Sequence, residues 1–365
     1  MPDSTSASLL GRPATISGLG TYLPDTVVTN DDLSLILDTS DEWIRQRTGI
    51  RERRVVAPEM SASDLGIRAA REALLDADLS VHEIGLVVTA SISPDQIMPA
   101  TASRIAFELG CTAAGSFDVS AGCTGFVYAL AMAAGVVSSG MHEHVLVVGA
   151  EAISRIIDPE DRSTAILFGD GAGAAVVSAL DIATEGERAS RGPVGFLGFD
   201  LGNDGSGGGH LFVPAGGSRL PASFETVAER LHYMKMNGRE VYKFATRVVS
   251  LSAGRVLERC GRDVSDIDLF VPHQANLRII DTAAKKLGMS ADKVYTNLQR
   301  YGNTSCASIP LCLSEARAGG RLKEGDLVLL MGFGAGLTWG ACLMEWTQSG
   351  RVGAGADGDG RGGAV

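Results

Sequence analysis

Two stretches of this chain follow one pattern. Ala73-Leu74, Val81, Ile84, Leu86 and Val88 return as Val256-Leu257, Val264, Ile267, Leu269 and Val271, each partner 183 positions downstream. Cys123 returns at the same spacing as Cys306. A period that long holds a whole α/β unit, so the chain is expected to fold as an internal duplication. A second echo, Gly169-Asp170-Gly171-Ala172-Gly173 answered by Gly332-Phe333-Gly334-Ala335-Gly336, is 163 positions apart, which gives the first copy about twenty extra residues after its cysteine.

Each copy reads as an amphipathic helix (Leu65–Ala77; Val248–Cys260) and a Val/Ile-rich strand (Leu86–Ala90; Leu269–Val271). A cysteine-bearing turn, a helix and strands flanking the glycine-rich turn follow. Alternating α and β elements, run twice, predict two α/β halves with buried sheets, at 14–185 and 186–347, with a site where they meet. The glycine-rich tail, 348–365, has nothing to pack with and is expected to be disordered. Leu327 to Met344 is uncharged for 18 residues, but Gly332, Gly334, Gly336 and Gly340 interrupt it. Two buried strands about a tight turn are therefore expected there, not a membrane helix.

Of 365 residues 45% are hydrophobic and 21% charged, a globular composition, and the net charge of −11 weighs against a nucleic-acid coat. Six cysteines, Cys111, Cys123, Cys260, Cys306, Cys312 and Cys342, show no C-x-x-C pair and no metal-ligand spacing. Reduced thiols, no metal and a cytoplasmic setting are expected. Met1 to Ala7 has no basic start followed by a hydrophobic run, so no signal peptide is expected.

Cys123 stands in Phe117-Asp118-Val119-Ser120-Ala121-Gly122-Cys123-Thr124-Gly125-Phe126, where a β-like run meets a helical one. A thiol at a helix N-terminus is favoured as the reactive thiolate, and a backbone N–H there can face an oxyanion. His273, in Pro272-His273-Gln274-Ala275-Asn276, follows the second copy's strand, at the end where parallel sheets present functional groups as base or donor. Asn303, in Gly302-Asn303-Thr304, precedes Cys306 and so falls near the pseudo-equivalent of the Cys123 turn.

Together with Asp38-Thr39-Ser40-Asp41-Glu42-Trp43-Ile44, Arg47-Thr48-Gly49-Ile50 and Phe168-Gly169-Asp170-Gly171-Ala172-Gly173, these motifs make the chain from about Ile16 to Trp346 resemble β-ketoacyl-[acyl-carrier-protein] synthase III. The resemblance implies a thiolase fold, an internally duplicated five-layered αβαβα α/β architecture, usually as a homodimer. It implies an acyltransferase that condenses a short acyl-CoA primer with malonyl-acyl-carrier protein, starting fatty acid biosynthesis. Cys123 would carry the acyl group, His273 and Asn303 would stabilise the enolate, and the backbone of Cys123 and Ala335 would form the oxyanion hole. Ala335 departs from the family's usual glycine, and Ala-Gly-Cys-Thr-Gly from its frequent Ala-Ala-Cys-Ala-Gly.

By the same resemblance Trp43, Arg47, Arg162 and Asn276 would hold CoA, which is a substrate, with no resident cofactor expected. Lys243, Arg278, Lys285 and Lys286 would dock the acidic carrier protein. Met98 would close the acyl pocket across the dimer, its flexibility admitting short branched primers. Neither nucleic acid nor membrane is an expected partner. The alternative reading is a specialised synthase III-like enzyme that loads polyketide starters or transfers acyl groups to oxygen or nitrogen.

Overall fold

The computed structural model describes residues 11–180 and 194–347. In chain order the strands are β1 (Ala14–Tyr22), β2 (Thr26–Thr29), β3 (Glu52–Val55), β4 (Ile84–Ala90), β5 (Gly115–Val119), β6 (His144–Glu151) and β7 (Gly171–Ala179) in the first copy. The second has β8 (Gly195–Asn203), β9 (Leu211–Phe212), β10 (Lys235–Met236), β11 (Leu269–Pro272), β12 (Leu327–Gly334) and β13 (Thr338–Glu345). The main sheets are ordered β1-β7-β6-β4-β5 and β8-β13-β12-β11. In each, one parallel ladder (β4 with β6; β11 with β12) is followed by two antiparallel ones, and the first sheet adds β5 parallel to β4 at its edge.

The helices Gly125–Ser138 and Ser308–Ala318 lie between the sheets. Their Phe126, Leu130, Ile309 and Leu313 share one core with Val147 of the first sheet and Val271 and Leu330 of the second. This position explains why the sequence Phe126 to Val137 is, but for Tyr128, apolar or small all round rather than along one stripe, the Tyr128 hydroxyl being satisfied by the Gly202 carbonyl at 2.9 Å. Helices Ala62–Asp76 and Thr101–Leu109 cover the first sheet, burying Leu65 and Ile105 against Val148 and Val176. Helices Gly238–Arg259 and Leu277–Leu287 cover the second, burying Val249 and Ile279 against Leu329 and Leu343. The result is the five-layered αβαβα duplication, a thiolase fold. Among the described residues no helix is long and apolar enough to cross a membrane.

The Leu327–Met344 window is the expected strand pair, with Leu330 opposite Cys342. The helix expected from Val248 starts ten residues earlier, because Asn237 caps it by accepting from the Glu240 N–H. The glycine echo does not relate equivalent positions. β6 and β12 keep the 183 spacing throughout (His144 to Leu327, Glu151 to Gly334), so the extra residues sit between β6 and β7. Gly171 and Gly173 lie inside β7, where a Cβ on Gly173 would stand 2.7 Å from Pro310. Gly332 and Gly334 close β12 instead, and only 335–337 form the turn. The motif therefore marks close backbone approach at two different places. Where the first copy has the edge strand β5, the second has the helical turn Leu298–Tyr301. The boundary expected at 185/186 and the tail 348–365 lie outside the described residues.

Candidate active site

β5 hands the chain to the helix Gly125–Ser138 through Ala121-Gly122-Cys123-Thr124. Gly122 sits at φ 57°, and a Cβ there would meet the Ala335 backbone nitrogen at 2.6 Å. A Cβ on Gly334 would come within 2.5 Å of the Cys123 nitrogen. Glycine on both sides thus lets the turns of the two copies touch backbone to backbone. Thr338 pins the junction, its hydroxyl donating to the Ala121 carbonyl at 2.8 Å.

Cys123 itself is buried. Burial pushes its thiol up to about 12, the nearby Glu151 charge adds to this, and the Ser305 hydroxyl bond only partly offsets it. This corrects the expectation that the helix terminus would supply a standing thiolate. Desolvation of the charge disfavours the thiolate and works against the dipole.

His273 leaves the end of β11 anchored by its N–H to the Met331 carbonyl, 2.7 Å. Its Nδ1 is 2.7 Å from the Ser308 hydroxyl, whose own proton goes to the Ser305 carbonyl at 2.8 Å. The ring stands edge-on to Phe333, centroids 5.3 Å apart. Burial lowers the imidazole to about 3, so it is neutral near pH 7. Asn303 is gripped by the first copy's extra segment: its N–H reaches the Leu167 carbonyl, and its carbonyl accepts from Gly169 N–H. Its Oδ1 accepts from the Ser305 N–H at 2.8 Å, which leaves the amide nitrogen available.

Cys123, His273, Asn303 and Asn276 line one cavity of about 130 Å³, walled by apolar groups that include Phe168, Leu211 and Phe333. Residues from both copies thus meet in one place, as the duplication predicts.

Three partners escaped the sequence reading. Ser305, at φ 47°, and Ser308 orient Asn303 and His273. Glu151 ends β6 fully buried and accepts from the Ser93 hydroxyl (2.6 Å), the Ser91 hydroxyl, the Ile92 and Ser93 N–H groups and the Cys306 N–H. Burial raises its carboxyl despite those donors. A carboxylate ending an otherwise apolar strand was the visible signal.

Trp43 lies on helix Asp41–Thr48, capped by Ser40. The Arg47 and Arg162 guanidinium carbons stand 4.4 and 4.9 Å from its indole centroid, and Arg162 also donates to the Asp38 carbonyl. Asn276 caps helix Leu277–Leu287 and donates to the Arg47 carbonyl at 3.1 Å, linking this cluster to the cavity. Ala335 is not among the described non-glycine residues at positive φ, so alanine fits there without backbone strain.

Arg278 and Lys285 are exposed one above the other on their helix, as expected from a spacing of seven. Lys243 is paired with Glu240 at 2.7 Å, and Lys286 donates to the Thr246 carbonyl at 2.8 Å. Met98 is 81% exposed beside the 85% exposed Ile97 and does not line the Cys123 cavity of its own chain. Cys306, by contrast, is structural, its thiol donating to the Gly122 carbonyl. Cys342 lies within β13, as its strand-like surroundings implied.

A family model described as 3-oxoacyl-[acyl-carrier-protein (ACP)] synthase III matches residues 117–205, and its C-terminal counterpart matches 257–346. The β-ketoacyl-[acyl-carrier-protein] synthase III of Symbiobacterium thermophilum is 51% identical over 335 residues, 92% of this chain and 98% of that protein. The solved β-ketoacyl-[acyl carrier protein] synthase III of Thermus thermophilus is 44% identical, with a TM-score of 0.82 over 92% of this chain and all of that one. A priming β-ketosynthase from the R1128 polyketide pathway is 38% identical, with a TM-score of 0.83 over 92% of this chain and 97% of that one.

Proposed function

The chain belongs to the 3-oxoacyl-[acyl-carrier-protein] synthase III family, and on that premise we propose how its residues divide the work of the decarboxylative condensation it carries out. It is an acyltransferase that joins a short acyl-CoA primer to malonyl-acyl-carrier protein, releasing CoA and carbon dioxide and giving the 3-oxoacyl-acyl-carrier protein that starts fatty acid synthesis.

The reading rests chiefly on one observation, the meeting of Cys123, His273 and Asn303 in a single apolar cavity. Cys123 takes the acyl group as a thioester, its proton leaving as the sulfur attacks, and CoA departs. Malonyl-carrier protein then loses carbon dioxide. The Asn303 amide nitrogen, its oxygen already committed to Ser305, donates to the enolate oxygen, with His273 beside it. The carbanion attacks the acyl-Cys123 carbonyl, whose oxyanion meets the Cys123 and Ala335 N–H groups. Carbon–sulfur cleavage then frees the 3-oxoacyl product.

Trp43, Arg47 and Arg162 receive the CoA nucleotide, and the arginines now against the indole swing onto its phosphates. Asn276 reaches the pantetheine arm. Arg278 and Lys285, with Lys243 and Lys286 nearby, attract the acidic carrier. The exposed Ile97 and Met98 fit a homodimer contact in which Met98 closes the partner's acyl pocket.

The test is intact-mass analysis after incubation with acetyl-, isobutyryl- and longer acyl-CoA esters, for wild type and Cys123→Ala, followed by malonyl-carrier protein. A wild-type adduct consumed to 3-oxoacyl-carrier protein supports the assignment and names the primer. An adduct that never condenses overturns it in favour of acyl transfer to another acceptor.

A further inference from the structure

Glu151 is fully buried at the end of β6, and no step of the condensation uses it. A carboxylate taken out of water is costly unless donors fill its lone pairs, so its partners show what it is for. On one side it gathers the loop after β4. The Ser93 and Ser91 hydroxyls donate to Oε2 at 2.6 and 3.2 Å, and the Ile92 and Ser93 N–H groups at 3.1 and 3.2 Å. On the other side Oε1 accepts from the Cys306 N–H of the second copy at 3.3 Å. Gly149, two residues earlier on the same face of β6, clears the way, since a Cβ there would stand 2.4 Å from the Cys306 carbonyl oxygen.

That N–H belongs to a turn under strain. Ser305, just before it, sits at φ 47°, a left-handed conformation that a residue other than glycine keeps only where its surroundings impose it. Bonds on both sides do so here. The Ser305 N–H goes to Asn303 Oδ1 at 2.8 Å, the Ser305 carbonyl takes the Ser308 hydroxyl at 2.8 Å, and the N–H of the next peptide goes to Glu151. The first two close within 303–308, whereas Glu151 anchors the turn to the other copy.

We propose that Glu151 is a positioning residue for the condensation: it clamps the Ser305–Cys306 peptide in its left-handed turn, and the turn, through the Ser305 N–H, fixes the Asn303 side chain with its amide nitrogen toward the enolate oxygen. This deepens the reading above and rests on it. Acylation does not use the Asn303 amide, and the Cys123 turn is held separately, by the close approach of Gly122 and Gly334 and by Thr338. Releasing the clamp therefore separates the two half-reactions.

Glu151→Gln releases it with little change of shape. Four donors converge from the loop after β4 and one from Cys306, so the amide oxygen turns to the loop and the amide nitrogen meets the Cys306 N–H, donor against donor. Ser93→Ala is the milder variant, in which the carboxylate stays but loses its shortest donor. Ser305→Gly tests the strain itself, because glycine adopts positive φ freely and needs no clamp.

Full-length wild type, these three variants and the Glu151→Gln, Ser305→Gly double variant are compared in two assays. One is acyl-adduct formation with acetyl-CoA by quenched-flow mass analysis, and the other is carbon dioxide release when the pre-acylated enzyme meets malonyl-carrier protein. Glu151→Gln should slow carbon dioxide release about thirtyfold with acylation within about threefold of wild type, and Ser93→Ala should show the same split at about fivefold. In the Ser305→Gly background, Glu151→Gln should cost less than about threefold in carbon dioxide release.

Undiminished carbon dioxide release, or equal loss of both half-reactions, would overturn the proposal, read in Ser93→Ala if Glu151→Gln does not fold. So would a Glu151→Gln effect as large in the Ser305→Gly background as in wild type. Absence of any wild-type adduct would instead overturn the condensing assignment itself, and this proposal with it.

Discussion

Laid over one another at a spacing of 183, the two copies keep the scaffold and exchange the chemistry. Cys123 faces its counterpart Cys306, but His273 answers to Ala90, Asn303 to Ser120, Ser308 to Gly125 and Glu151 to Gly334. Where one copy carries a working side chain, the other is small. The omissions are spatial as well as chemical. A Cβ on Gly125 would lie 3.0 Å from the Cys306 sulfur, and one on Gly334 would strike the Cys123 nitrogen. Two similar turns can press together around one small cavity only because each has given up what the other supplies.

The largest test of that division is the cysteine pair. Cys123→Ala should abolish the acyl adduct and reduce condensation by at least about a thousandfold. Cys306→Ala should still acylate within about threefold of wild type, losing about 1 kcal/mol of stability in urea titration. Equal damage from both would erase the distinction between the turns.

Next come Asn303→Ala, expected to slow malonyl-carrier decarboxylation about a hundredfold, and Ser120→Ala, expected to leave it nearly unchanged. Carbon dioxide release measured for each decides it. The His273 and Ala90 pair differ in titration. His273 is neutral when folded because burial lowers it from 6.5 to about 3, whereas the unfolded chain gains a proton below 6.5. That contribution is fully present above 6.5 and is lost as pH falls toward 3, at up to about 1.4 kcal/mol per pH unit. Urea titrations across that window should lose much of this slope in His273→Gln. Smallest is Ala335→Gly, expected to stay within about twofold in condensation rate, since alanine there is already unstrained.

The repeat carried most of the fold in plain sight, because hydrophobic spacing at a fixed offset reports a scaffold built twice. It failed where small residues had two uses. The glycine motif was legible as close approach but not as to which strand it belonged, since glycine inside β7 and at the end of β12 read alike. The early start of helix Gly238–Arg259 was hidden by polar first turns, although Asn237 and Glu240 carried the capping signal.

At the site, Cys123, His273 and Asn303 stood out as residue types, while Ser305, Ser308 and Glu151 did not. Their roles depend on which lone pair or proton remains after neighbours are satisfied, and linear spacing does not record that. The thiol's protonation was misread for a related reason. Chain position shows a helix terminus, but only packing shows how completely water is excluded.

The segment between β6 and β7 also has a temporal consequence. It holds Asn303 through Leu167 and Gly169, so a loop made early in synthesis serves as the mould for a residue made late. A ribosome reaches Cys123 some 150 residues before His273. A nascent chain therefore bears its nucleophile long before it has the imidazole and the amide that complete the cavity, and the site is assembled only when the second copy closes over the first.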